Sequence, residues 1–397
     1  MNAVHKRAHR NIRLLQMYTI CANAMFLLPV LIPYYRDVIG IGFHEFMIGE
    51  AVFSAVMIVM EVPTGWISDV WGRKKTLVAS VMTALLGWGL LWHADSFWDA
   101  IIAQGVLGIY VSLASGTNSA LLYDSLLELG RADEYRRLES RRHGTGLYAV
   151  AGASLLGGFM YQWHPMAPLA GVIAVDCAAL VFTLLMIEPA YHKEAVRKHP
   201  IADMVETVRF AVHGHVEVAA IILLSALLFA MTKTLLWAQQ PYYIMLHLPE
   251  SWFGVLSCTG FLVGATAGTF GYKLDGRLSN VAALEILLVG AVLICAVAGL
   301  WPGNHGVALL LAGSFIYGIG APRVQAAINK RVPSARRATI LSAASLAVHV
   351  VSIPLMILSG WVSDVYGITM ALVIMAAVMA VGGGAASLLL RHRKITA

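Results

Sequence analysis

The run GWISDVWGRKKTL at residues 65–77 places Gly65, Asp69, Gly72, Arg73 and Lys74 within one short segment. It lies in a basic gap between two apolar stretches, each long enough to cross a bilayer. Asp69 supplies an anion able to cap the amino end of a helix. Arg73 supplies a planar fork that wants a buried carboxylate, and Asp124 in the run ALLYDSL is the candidate. Other ionisable residues fall inside apolar stretches, where each costs about 2.5–3.5 kcal/mol at the bilayer centre and is a functional candidate by default. Glu50, Ser54, Met57, Glu61, Thr64 and Ser68 recur at a spacing that puts them on one helical face. Glu50 and Glu61 are therefore candidates for carrying a proton, with a structural hydrogen bond as the alternative for Glu61. Lys233, Trp237 and Gln240 form a second stripe. Arg323 follows Pro322, with Gln325 and Asn329 nearby, and His349 shares a face with Ser342, Ser345 and Ser352. Lys233 and Arg323 each need an anion, either a protein carboxylate or a bound solute. His349 is open between proton carrier and packing residue. Asn23, Ser112, Ser115 and Asn118 are expected as polar lining, and Asp176 has no assigned role.

Composition fixes the setting of these residues. Hydrophobic residues make up 59% of the 397 and charged residues 13%, about half the charged share of a soluble domain. The chain is expected to be an integral membrane protein with the lipid bilayer as its surroundings. Its net charge of +6 comes from basic residues in short loops, a pattern of membrane topology rather than of nucleic-acid binding. Cys21, Cys177, Cys258 and Cys295 all fall in apolar runs and read as small core residues. The start HKRAHRNIR runs straight into an apolar segment, so no removed signal peptide is expected. No metal-ligand spacing, phosphate-binding loop or nucleophile motif occurs, so no cofactor, no metal and no enzymatic activity are expected. The triplet Gly382–Gly384 reads as close helix packing. A membrane-embedded lipid-modifying enzyme is the alternative from another class.

Scanning for stretches of about 20 apolar residues gives twelve expected spans. They are roughly 14–38, 45–68, 76–94, 98–124, 143–163, 166–188, 216–246, 252–273, 281–301, 306–329, 338–362 and 367–390. With both termini cytoplasmic, nearly all Lys and Arg fall in cytoplasmic segments; Arg36 alone is opposite, and Lys233 and Arg323 lie within spans. The longest connection, 189–215, divides the chain into a bundle over 1–188 and a bundle over 216–397. The halves echo each other: GYKLDGRLSNV at 271–281 is a degraded form of the run at 65–77, and SGWVSDVYGITMAL at 359–372 echoes GGFMYQWHPMAPL at 157–169. The expected fold is an all-α membrane protein of twelve transmembrane helices in two pseudo-symmetric six-helix bundles.

The run at 65–77, in its place between the second and third spans, resembles the loop motif of the major facilitator superfamily of secondary transporters. The resemblance covers essentially the whole chain. It implies a cytoplasmic latch built on Gly65, Asp69, Gly72, Arg73, Lys74 and Asp124, with Asp69 capping the eleventh span near Ala338. It also implies alternating access around a cavity where Asn23, Asn118, Lys233, Trp237, Gln240, Arg323 and Gln325 are candidate lining, and Glu50, Glu61 and His349 candidates for proton coupling. Two patterns common in proton-coupled antiporters are absent: Gln104 stands where an arginine is usual in the fourth span, and Ser154 where a proline is usual in the fifth. The expected activity is secondary transport of a small molecule. Proton-coupled export of amphipathic or anionic compounds is one version, and uptake of an anionic nutrient by symport or uniport is the other. A monomer in the inner or plasma membrane, driven by a proton or ion gradient, is expected.

Overall fold

In lipid, every backbone N–H and C=O must find its partner within the protein, and a helix provides it within one segment. The computed structural model describes residues 3–189, 216–270, 279–332 and 337–394, and among these every regular element is a helix. In chain order they are α1 (Ala3–Ala22), α2 (Leu31–Tyr34), α3 (Phe43–Trp71), α4 (Arg73–Trp92), α5 (Phe97–Ala114), α6 (Thr117–Glu128) and α7 (Tyr135–Trp163). There follow α8 (Ala167–Leu185), α9 (Val216–Met245), α10 (Glu250–Phe270), α11 (Asn280–Leu300), α12 (Asn304–Asn329), α13 (Arg337–Tyr366) and α14 (Ile368–Lys394). Among the described residues, ten helical segments are long and apolar enough to cross a membrane.

The expected spans absent from those ten have identifiable causes. The stretch 14–38 breaks after Ala22 into a 3-10 turn at Leu28–Val30, the short α2, and a π-turn at Tyr35–Ile39. Pro29 and Pro33 fall in this stretch, and a proline supplies no backbone N–H to a helix. The stretch 143–163 lies within α7, where the glycines, Thr145, Ser154, Tyr148, Tyr161 and Gln162 make it less apolar than the ten. The expected span 98–124 is among the ten, over Phe97–Glu128, with a turn inside it. Gly116 takes φ +73° there and separates α5 from α6. Pro63, Pro241, Pro322 and Pro354 sit inside helices without ending them. Residues 190–215 of the expected linker and 271–278 of the echoed loop lie outside the described residues.

The chain forms two compact units. The first comprises Met1–Ile41, Val52–Lys198 and Glu250–Cys258. Its core packs Leu15 and Tyr18 of α1 on Leu77 and Val81 of α4, Leu121, Leu122 and Leu126 of α6, and Ala179 of α8. Close glycine contacts bring backbones together: a Cβ on Gly158 would lie 2.8 Å from the Gly254 nitrogen, and one on Gly254 2.5 Å from the Ser154 carbonyl oxygen.

The second unit comprises Gly42–Ala51, His199–Pro249 and Thr259–Ala397. Its central helix is α9, where Leu224, Ala226, Leu228, Ala230 and Met231 are fully enclosed. A Cβ on Gly318 of α12 would lie 2.2 Å from the Gly264 carbonyl oxygen of α10, so no other residue fits that crossing. Of the glycine triplet in α14, Gly383 and Gly382 abut Leu288 and Leu227, whereas a Cβ on Gly384 would meet open space among the described residues.

Candidate functional site

The polar stripe on α3 is turned inward. Glu50, Ser54, Thr64 and Ser68 are buried, Met57 and Glu61 are half-buried, and Val59 on another face is exposed. This is the arrangement expected when the outer surface contacts lipid and the polar face contacts protein. The stripe ends at the loop of residues 65–77, where the first of two clusters forms.

Arg73 is the hub of that cluster, within the first unit. Its guanidinium lies 2.7 Å from Asp69, 3.5 Å from Asp124 and 3.0 Å from the Ser68 hydroxyl. The Thr117 hydroxyl, one residue past the Gly116 break, lies 3.1 Å from the Ser68 oxygen, which ties α6 to the loop. Glu188 is a member that the sequence marked only as the start of the linker. Its carboxylate accepts from the backbone N–H groups of Arg73 at 2.6 Å and Lys74 at 3.0 Å, capping the amino end of α4. Gly72 makes that possible: it takes φ +106°, and a Cβ there would lie 2.6 Å from the Glu188 carboxyl carbon. Gly65 differs from its expected packing role, since a Cβ there would meet open space among the described residues. The Asp69 carboxylate is taken by Arg73 of its own loop.

The second cluster lies within the second unit. Glu50, only 6% exposed, pairs with Lys233 of α9 at 3.6 Å. Trp237, one turn further along α9, meets Phe46 edge-on with ring centroids 5.1 Å apart, one turn before Glu50 on α3. The first residue of the α3 stripe therefore meets the first residue of the α9 stripe. His349 lies within electrostatic reach of Lys233. The Trp237 indole nitrogen and His349 Nδ1 are buried with no hydrogen-bond partner among the described residues. Gln240 and Arg323 are buried as well, while Gln325 is exposed. At about 100° per residue it stands about 200° around α12 from Arg323, so the two do not share a face.

The remaining candidates are dispersed. The Asn23 amide donates to the Thr19 carbonyl at 2.8 Å, and a Cβ on Gly146 would sit 3.2 Å from it. The Asn118 side-chain oxygen accepts from the Ser119 backbone N–H at 2.8 Å. Glu61 is half-buried, with its own carbonyl 3.3 Å from the Thr64 hydroxyl. Asp176 now has a partner: the Trp88 indole N–H of α4 donates to it at 2.9 Å, and it is 5% exposed. A further network was not legible beforehand. Glu139 of α7 accepts from Arg142 at 2.5 Å and 2.9 Å and from the Ser119 hydroxyl at 2.8 Å. Burial pushes the Glu139 carboxyl up, but the hydrogen bonds from Arg142 and Ser119 outweigh it and leave it below the usual carboxylate range. Among the described residues no group of His, Cys, Asp and Glu is placed to hold a metal ion.

The sequence profile described as Major Facilitator Superfamily matches residues 14–321. An uncharacterized transporter of Buchnera aphidicola is 30% identical over 86 residues, covering 21% of this chain and only 20% of that relative's length. Among solved structures, a variant of the nucleoside transporter NupG aligns with a TM-score of 0.82 at 15% identity, covering 96% of this chain and 98% of the other. The D-xylose-proton symporter aligns at 0.72 and 14% identity, covering 96% of each chain. At such identities the likeness is one of fold.

Proposed function

Because this chain belongs to the major facilitator superfamily and is a multi-pass membrane transporter of a small molecule, we propose that it couples solute movement to a proton through Glu50 and Lys233. The observation that carries this reading is the burial of Glu50 beside Lys233 at 3.6 Å. With both groups charged the pair is neutral. Protonating Glu50 leaves a net positive charge in a poorly hydrated place, which an anionic group on a solute would balance at Lys233. Proton and anion then favour each other's binding, and each is costly to carry alone. The cycle is symport of a proton with an anionic or zwitterionic organic solute, by alternating access. A monomer in the inner or plasma membrane with both termini cytoplasmic completes the reading.

Proton-coupled export of amphipathic or partly anionic compounds is the second reading. The contact between Phe46 and Trp237 close to Glu50 favours it, since an aromatic pair suits an amphipathic solute. It requires solute and proton to compete for the carboxylate instead of binding together. The two readings separate in proteoliposomes, using solutes first selected by a ligand-stabilisation screen on purified protein. An inward proton gradient should drive accumulation of an anionic solute, and Glu50→Gln should abolish that accumulation while leaving solute exchange. Efflux driven by the same gradient would favour export. Lipid modification without any flux would favour the enzyme alternative.

A further inference from the structure

The run GWISDVWG at 65–72 has a near-copy, GWVSDVYG, at 360–367. The first copy ends α3 and the second ends α13, helices of 29 and 30 residues. Each copy finishes on a glycine of positive φ, +106° at Gly72 and +87° at Gly367. Two helices of nearly equal length thus carry the same carboxylate at the same position near their carboxyl ends, Asp69 on one and Asp364 on the other.

The structure gives the second carboxylate a defined task. Asp364 accepts from the backbone N–H of His44 at 3.0 Å, in the first turn of α3. That turn has no capping side chain at its start, because the residue before Phe43 is Gly42. The Glu45 side chain returns to the Gly42 N–H at 2.8 Å, one arm of a capping box, and Asp364 supplies from another helix an acceptor for the second amide of the turn, as a cap side chain would. Gly42 is also the residue that admits it: a Cβ there would lie 2.9 Å from Asp364 Oδ2. One turn earlier on α13, Gly360 allows equal closeness, since a Cβ would lie 2.9 Å from both the His44 Cα and the Met47 Cβ. A carboxylate at a helix amino end is favoured by the dipole as well as by the hydrogen bond.

We propose that Asp364 is an outer clamp: the C-terminal carboxylate of α13 holds the amino end of α3 in one phase of transport and releases it in the other. The alternating-access reading underlies this proposal, whereas the identity of solute and coupling ion does not enter it.

The test reads access to the contact without reading transport. Met47→Cys is introduced into a background lacking the four native cysteines, and a membrane-impermeant maleimide is applied from outside. Met47 is fully enclosed against Gly360, so labelling should be slow. Loss of a helix cap shifts an equilibrium by about fivefold, so Asp364→Ala should speed labelling by about that factor. Asp364→Asn should stay within about twofold of the parent, because asparagine caps nearly as well as aspartate. Gly42→Ser gives α3 a cap of its own while displacing Asp364, and should speed labelling in a protein that still folds. Parent-like labelling in both Asp364→Ala and Gly42→Ser would overturn the outer clamp. Because no solute or proton is measured, that failure is distinguishable from failure of the transport reading.

Discussion

Replacing Glu50 by glutamine leaves Lys233 charged and without this carboxylate, and the size of the effect follows from the geometry. At 3.6 Å and an effective dielectric of about 20, two unit charges attract by about 4–5 kcal/mol. Most of that repays the desolvation of the two ions. Removing one partner of a buried pair typically costs about 3–5 kcal/mol, because the other stays charged and enclosed. Lys233 keeps 22% of its side chain exposed while Glu50 keeps 8%, so water recovers part of the loss and about 2–3 kcal/mol is expected for Glu50→Gln. Lys233→Gln takes a cation away from the more deeply buried carboxylate, so it should cost at least as much unless Glu50 takes up a proton. The double variant carries neither charge and should return close to the parent. Denaturant unfolding in bicelles, run as a double-mutant cycle, should therefore show a coupling of about 2 kcal/mol or more. Strictly additive losses, with the double variant the least stable of the three, would refute the claim that the two charges balance each other.

Four other outcomes follow from the same structure. A reporter active only outside the cytoplasm should work when fused near Arg36, His164 or His305 and stay silent near Lys75, Lys198 or Arg393; activity near Lys198 would break the twelve-span reading. Arg73→Lys should fail to replace arginine, since a point charge cannot serve Asp69, Asp124 and Ser68 together; slowed flux with normal membrane insertion is expected, and parent-like flux would reduce the loop to a topology signal. Glu188→Gln keeps an acceptor for the amino end of α4 but loses its charge, and should cost about 0.5–1 kcal/mol of unfolding free energy, with Glu188→Ala costing more. Glu139 has a depressed folded pKa, so its contribution is full above the unfolded carboxylate range and is lost as pH falls through the lower folded value. The stability gap between parent and Glu139→Gln should therefore be constant at neutral pH and close on acidification below about pH 4.5, and a gap independent of pH would contradict the assignment.

The membrane class, the loop motif and the inward face of α3 were legible in the sequence because each is periodic or local. Burial of Glu50, Ser54, Thr64 and Ser68 follows directly from their helical spacing. The breaks were harder. Pro29 and Pro33 signal trouble in the first span, but the turn at 23–27 and the π-turn at 35–39 depend on what packs around them. Gly116 looked like an ordinary small residue of a membrane helix until its positive φ appeared. Pairings between distant segments were invisible, since nothing local links Glu50 to Lys233, Trp88 to Asp176, Glu188 to Arg73, or Asp364 to His44. The echo at 359–372 aligns with 157–169 at half the chain's length, whereas its closer copy at 65–72, also at the carboxyl end of a helix, stands on the opposite membrane face in the twelve-span reading.

Symport through Glu50 and Lys233 requires that a proton enter with the solute. Calorimetric binding of an anionic solute to the purified transporter, repeated in buffers of different ionisation enthalpy near neutral pH, counts the protons taken up on binding. If Glu50 is ionised in the free protein and neutral in the bound one, the parent should take up close to one proton per solute bound, and Glu50→Gln none. No uptake in the parent, or the release of a proton on binding, would contradict symport through the pair of Glu50 and Lys233.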